Sequence, residues 1–289
     1  MEMQKEHHGF LFGILAAFTS AFVAIFIKLT ASIPTETLVF ARFVIPLPLI
    51  LWLMRRHGIQ MSFKKVPGHL VRSLAGLIGM YSYFYAVKAL PLVNAMTLSN
   101  TSPLFIPFIV LIWLKLVVSK LRFLALGIGF LGVVILLRPD QFVFNWGILA
   151  GLATGLFSAI AYVSIRQLSK TEPTETILGY YFVICSVITF FPMIFVWQPI
   201  PQLDWIYLLG LGAVSFLYQY ALTRTFTLTA ATKAGSLNYL AVVFGGLAGW
   251  WLFNEVPDFW VLVGAILIIA GALLALFDKT PPHPLNLSN

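Results

Sequence analysis

The tetrapeptide Pro34-Thr35-Glu36-Thr37 recurs as Pro173-Thr174-Glu175-Thr176, and this repeat restricts the fold more than any other feature of the chain. Flanking residues agree: Gly9, Gly13, Ser20 and Lys28 correspond to Gly147, Gly151, Ser158 and Arg166, one residue out of step with the tetrapeptide, and Lys88 matches Arg224. Self-similarity over such a distance marks a duplicated unit. Each copy holds five apolar runs of about 20 residues, the length that crosses roughly 30 Å of hydrocarbon. They are 9–29, 36–54, 68–89, 92–114 and 121–137, then 146–168, 176–197, 204–227, 230–252 and 257–277. Five is odd, so the second copy enters the membrane in the opposite sense to the first. The sequence predicts an all-α integral membrane protein of ten transmembrane helices, built as two inverted five-helix repeats over 9–137 and 146–277, with cytoplasmic tails 1–8 and 278–289.

Composition agrees. Of 289 residues 60% are apolar and 10% charged, against about 25% charged in a soluble domain. The net charge of +8 would suggest nucleic acid for a soluble protein. Here its distribution excludes that partner, because Lys and Arg are held on the cytoplasmic side of short loops. With the N-terminus inside, fourteen of the eighteen cations, Arg72 among them, fall in inside loops or adjoining helix ends; Lys28, Lys88 and Arg138 fall outside, and Arg42 lies within a span. The expectation is a multi-pass protein of the cytoplasmic (inner) membrane with both termini cytoplasmic and lipids as neighbours. The first run follows a polar segment as a signal peptide does, but lacks a small-x-small cleavage site and reads as a retained helix. Cys185 is the one cysteine, and the five histidines sit at chain ends or beside loops. No metal site, cofactor site or catalytic residue is expected.

Inverted repeats let two halves rock between outward-open and inward-open states around a site at their interface, which is the need of a transporter. The ten spans, the stretch Tyr85-Ala86-Val87-Lys88-Ala89-Leu90-Pro91, Pro103 in the fourth span and Glu255 before the tenth resemble the drug/metabolite transporter superfamily, with its EamA-type repeats. The resemblance covers roughly 9–277. It implies ten helices around a central cavity and transport of small organic solutes, and extends to the branches that move S-adenosylmethionine and amino acids. One departure is visible: the first-half counterpart of Glu255 falls near Ser119, where the family commonly has a carboxylate.

Arg42 is the most informative single residue. It lies about six residues into the second span, where an ionised guanidinium costs at least ~2.5 kcal/mol unless it meets water or a partner. Its planar fork suits a substrate carboxylate or phosphate; capping of backbone carbonyls or snorkelling to a headgroup is the structural alternative. The fourth span has Ser99-Asn100-Thr101-Ser102-Pro103 near its centre, and its equivalent in the ninth is Gly235-Ser236-Leu237-Asn238-Tyr239. Pro103 frees a carbonyl among these polar groups, so Asn100 and Asn238 read as cavity-lining, with interhelical ties as the alternative. Tyr81, Tyr85 and Lys88 share a helical face, and Tyr218 and Gln219 sit midway along the eighth span. Such tyrosines stack on a planar or cationic solute, or pack between helices. Trp52, Trp113, Trp146, Trp197 and Trp205 lie near span ends as interfacial anchors.

The acids stay out of the span centres, which favours a facilitator or exchanger over a proton-driven carrier. The expected function is secondary transport of a small organic metabolite by alternating access, with an amino acid or a derivative such as S-adenosylmethionine favoured. Drug or metabolite efflux and lipid-headgroup translocation are the alternatives. The substrate-binding set is Arg42, Tyr81, Tyr85, Asn100, Tyr218, Gln219 and Asn238. Monomer and homodimer both remain open.

Overall fold

The computed structural model describes residues 2–59, 61, 65–117, 119–137, 145–229, 234, 237–277 and 283–284. Lys64, Arg138, Asp140, Lys233, Gly235, Ser236, Asp278 and Lys279, with most of the expected C-terminal tail, lie outside the described residues.

The first, third and fifth spans are α1 (Glu2–Leu29), α4 (Val66–Ala89) and α7 (Lys120–Leu137). The second is split into α2 (Thr35–Val44) and α3 (Leu47–Arg56), and the fourth into α5 (Leu92–Ser99) and α6 (Ser102–Leu114). In the second half α8 (Trp146–Leu168), α9 (Thr174–Val196), α10 (Gln202–Leu228), α11 (Tyr239–Phe253) and α12 (Phe259–Phe277) carry spans six to ten. Among the described residues, seven of the ten segments are long and apolar enough to cross a membrane by themselves, and the other three hold shorter apolar helices, 127–136, 239–253 and 259–271. A two-residue bridge pairs Leu116–Val117 with His283–Pro284.

Each break has a proline behind it. Pro46 has no N–H to close onto the carbonyl of Arg42, four residues back, so the second span bends just past its arginine. In the fourth span Pro103 opens α6, and the chain crosses Asn100 and Thr101 on tighter bonds, Thr101 N to Leu98 O at 3.2 Å and Leu104 N to Thr101 O at 2.9 Å.

Helix pairing follows the inversion. Span one (α1) lies along span eight (α10), and span six (α8) along span three (α4). Exchanging the halves turns the first pair into the second. Spans two and seven, four and nine, and five and ten each cross their own counterpart. Apolar side chains cover the outside, with Phe195 and Trp251 87% and 85% exposed, as a lipid-facing surface requires. The five span-end tryptophans also face outward, between 44% and 64% exposed.

Spans five and ten touch backbone to backbone. A Cβ on Gly132 would lie 2.7 Å from the carbonyl oxygen of Gly264 and 2.8 Å from the amide of Ile268, and one on Gly264 would lie 2.7 Å from the carbonyl of Gly132. Small residues allow such close approach between helices in lipid. Neither backbone can yield, so Gly132→Leu should destabilise the protein by about 3 kcal/mol. Gly127→Ala, on the same helix with nothing within 4 Å of the new Cβ, should leave melting in detergent unchanged. Equal Tm values for the two variants would contradict this packing.

Candidate functional site

The broken second and fourth spans turn their polar residues toward a cavity of about 60 Å³ among the helices, closed down in this conformation below the volume a small organic ligand fills. Helix α4 presents one stripe to it: Arg72, Gly76, Gly79, Met80 and Tyr83, at the spacing that keeps residues on one helical face. Arg42 enters from α2, Ser99 and Asn100 from the break in span four, Ser158 and Tyr162 from α8, Tyr181 from α9, and Tyr218 and Gln219 from α10. Ser20 and Ser158, the repeat-related serines, both line it.

Two guanidinium groups dominate the site. Arg42 is 1% exposed; its Nη1 donates to Ser215 Oγ at 3.0 Å, and its guanidinium carbon lies 5.6 Å from the ring centre of Tyr218 and 6.0 Å from that of Phe84. Arg72 is 2% exposed, and its guanidinium carbon sits 3.9 Å from the ring centre of Tyr181. Aromatic faces attract cations most where water is excluded. Gly76 permits the second stack. A Cβ there would come within 2.4 Å of Arg72 Nη1 and 2.8 Å of Tyr181 Cε2. Counted from the shared tetrapeptide, Arg42 and Tyr181 hold the same position in the two halves.

No Asp or Glu is among the described residues lining the cavity. The ion pairs among the described residues, Lys28 with Glu255 and His57 with Glu175, leave both arginines out. Four lining groups are buried without a hydrogen-bond partner: Arg72 Nε, Tyr83 Oη, Ser99 Oγ and Gln219 Nε2. All four can donate a hydrogen bond. Chemically the cavity is a cationic, donor-rich chamber walled with tyrosine, suited to an acceptor-rich, anionic and partly planar solute. Among the described residues no group of three or more His, Cys, Asp or Glu could hold a metal ion. Cys185 is buried against the carbonyl of Ser73 at 3.6 Å.

Of the residues singled out from the sequence, Arg42, Asn100, Tyr218 and Gln219 meet at this cavity. Asn100 donates its amide to the carbonyl of Met96, at 2.7 Å, capping the end of α5 at the helix break. Tyr81, Tyr85 and Asn238 are not among the lining residues. Tyr81 and Tyr85 lie two residues either side of Tyr83, about 200° around the helix from it. Tyr81 packs into the core with its hydroxyl unpartnered, and Tyr85 is 47% exposed in a shallow groove beside Trp146. Asn238 is buried at the start of α11 with its amide nitrogen unpartnered. Arg72, assigned from the sequence to a cytoplasmic helix end, is instead a second buried charge at the cavity. The signal for it was the stripe of small residues one and two turns further on. His69, expected beside a loop, is fully buried and stacks on Tyr180 with ring centres 4.0 Å apart.

The EamA-like transporter family model matches twice, over residues 7–138 and 145–277. The chain belongs to the EamA-like transporter family. A pseudopaline exporter of Pseudomonas aeruginosa is 32% identical, across 92% of this chain and 94% of that one. A riboflavin transporter of Vibrio cholerae is 26% identical across 92% and 93%, and an S-adenosylmethionine uptake transporter of Rickettsia bellii 26% identical across 73% and 72%. A crystal structure of a protein 20% identical in sequence superposes with a TM-score of 0.69, covering 92% of this chain and 96% of that one, and so shares the fold. The protein is a multi-pass membrane transporter of small metabolites.

In this EamA-like transporter Gly76→Ala should push the Arg72 guanidinium off Tyr181 while leaving helix α4 intact. Losing the displaced guanidinium's charge-assisted hydrogen bond to a substrate, about 2 kcal/mol, corresponds to roughly 30-fold weaker substrate affinity. Isothermal titration in detergent checks this, and unchanged affinity would remove Gly76 from the site.

Proposed function

We propose that this EamA-like transporter is a secondary carrier that moves a small anionic organic metabolite, an amino acid or amino-acid derivative with a free carboxylate, across the cytoplasmic membrane by alternating access between its two halves. The observation that carries the reading is Arg42: a guanidinium 1% exposed, at the cavity wall, with one hydroxyl as its hydrogen-bond partner and no carboxylate beside it. Buried charges are normally paired; here the solute supplies the partner. Tyr218 holds the guanidinium plane, Gln219 and Ser99 offer donors to the rest of the solute, and Asn100 sits at the break where span four can flex. Export is the favoured direction, supported by the 32% identity to an exporter over nearly the whole chain. The uptake transporter among the relatives is less similar and covers less of the chain.

Reconstituted vesicles preloaded with a panel of labelled amino acids and derivatives, read by efflux and counterflow, test the proposal. Arg42→Leu should reduce transport to background with the protein still monodisperse, and Arg42→Lys should retain a small fraction of it, since a lysine keeps the charge and loses the fork. Full transport by Arg42→Leu would sink the assignment.

Energy coupling and orientation follow separate lines. No acid lies among the described cavity residues, so the carrier acts as a facilitator or exchanger, and efflux should persist when an uncoupler collapses the proton gradient. The excess of cations on one side sets both termini in the cytoplasm. A C-terminal fluorescent reporter that folds only in the cytoplasm should therefore be bright, and a dark reporter with an active C-terminal phosphatase fusion would invert the topology.

A further inference from the structure

Arg72 is more than a carrier of one carboxylate requires. We infer that the cavity takes a cargo with two separated anionic groups, one against Arg42 and the other against Arg72, so that the substrate class is dianionic. This rests on the transport reading above and narrows its substrate.

Charge balance carries the inference. The two guanidiniums come from different helices, α2 and α4, each at most 2% exposed, and no carboxylate of the described lining offsets either. A solute with one carboxylate neutralises one arginine and leaves the other buried without a counter-charge. The aromatic partners do not fill that role: a ring face attracts a cation, and the Tyr181 hydroxyl beside Arg72 can accept from it, but both are neutral. Arg72 sits against Tyr181, its guanidinium carbon 3.9 Å from the ring centre, and keeps its Nε without a partner. Nε with an adjacent Nη is the edge that grips a carboxylate side-on.

The remaining unpartnered groups point the same way. Tyr83 Oη, Ser99 Oγ and Gln219 Nε2 are donors without acceptors, and they belong to helices α4, α5 and α10, so they surround the space into which the two arginines project. A dianion brings at least four acceptor oxygens. A neutral or cationic solute could accept from these donors but would leave both charges without a counter-charge.

The test uses the full chain, purified in detergent. Its probes are α,ω-dicarboxylates from succinate to suberate, against the monocarboxylates butyrate, hexanoate and octanoate. Binding is read by thermal stabilisation and titration, with transport followed separately by counterflow in vesicles. The expected result is stabilisation by dianions, strongest at one chain length, and weak or no stabilisation by monoanions at equal concentration. Arg72→Gln should weaken dianion binding by roughly 10- to 100-fold, as loss of a charge-assisted contact does, and weaken monoanion binding much less, so that the preference for dianions falls. Arg72→Lys should recover part of it. If Arg72→Gln fails to fold, Gly76→Ala displaces the same guanidinium without deleting it and should show the same selective loss.

Equal binding of monoanions and dianions, an equal effect of Arg72→Gln on both, or no stabilisation by any dianion would overturn the inference. Dianions that bind but are never moved in vesicles would overturn the transport reading and leave the dianionic site standing. Transport of monocarboxylates in vesicles, with no dianion bound or moved, would do the reverse.

Discussion

An odd number of spans per repeat governs everything else in the molecule. It forces the second copy upside down relative to the first, so no helix can take the same neighbour as its counterpart on the same side. The pairing of α1 with α10 must then be matched by that of α8 with α4, while spans two and seven, four and nine, and five and ten meet across the axis. Residues at equal places in the two copies reach the centre from opposite faces. Ser20 and Ser158 do so as a like pair, and Arg42 and Tyr181 as an unlike one. The duplication thus supplies two equivalent seats at the cavity, and divergence has put a cation in one and an aromatic ring in the other. Arg72 then lies against that ring.

Two charges in the middle of such a bundle need an account. An unpartnered arginine at the centre of a span costs about 2.5 to 3.5 kcal/mol on insertion-based scales, and a desolvated cation–aromatic contact returns about 2 kcal/mol or more. Stacking on Tyr181 and Tyr218 therefore offsets much of the cost, and the hydroxyl of Ser215 adds one hydrogen bond to Arg42. What these partners do not supply is a counter-charge, which on the proposed reading the solute brings. Binding energy of this kind is concentrated where a solute can reach it, because the site is already cationic and arranged before the solute arrives.

Span number, the break in span four and inversion were legible in the sequence because each rests on a local signal: run length, proline and repeat; the break at Pro46 in span two was not read. Arg42, Tyr218 and Gln219 were legible because a polar group in mid-span has few places to go but a cavity. The tyrosines of α4 were not. Spacing tells which residues share a face, but α4 touches α1, α2, α5, α8 and α9, so several of its faces are buried and periodicity cannot say which meets the cavity. Tyr83, not Tyr81 or Tyr85, lies on the arginine stripe. Arg72 was misassigned for a different reason. Four residues from the start of an apolar run, a cation looks able to reach the headgroups, yet α4 begins at Val66 and sets Arg72 almost two turns inside it. Packing on Tyr181 then holds it inward.

The copies also differ at their ends, and this bears on how the carrier works. Lys28 and Arg166 are repeat-related and lie at opposite membrane faces. Lys28 pairs with Glu255, whose other oxygen accepts the backbone N–H of Leu92 at 2.5 Å, so one carboxylate ties α1 and α5 to the loop after α11. Arg166 donates instead to the carbonyl of Thr227 at 3.0 Å, at the end of α10. The position answering to Glu255 in the first half falls near Ser119, and a serine brings no charge. Were the two halves identical in sequence, outward-open and inward-open states of an alternating-access carrier would be related by a two-fold rotation and equal in energy. Opening the Glu255 end breaks an ion pair and a backbone hydrogen bond to a carboxylate, whereas opening the Arg166 end breaks one charge-assisted bond to a carbonyl. The fold itself treats the two directions alike, so any bias between them must come from positions where the copies have diverged, and Glu255 is the one that joins three of the helices at one face.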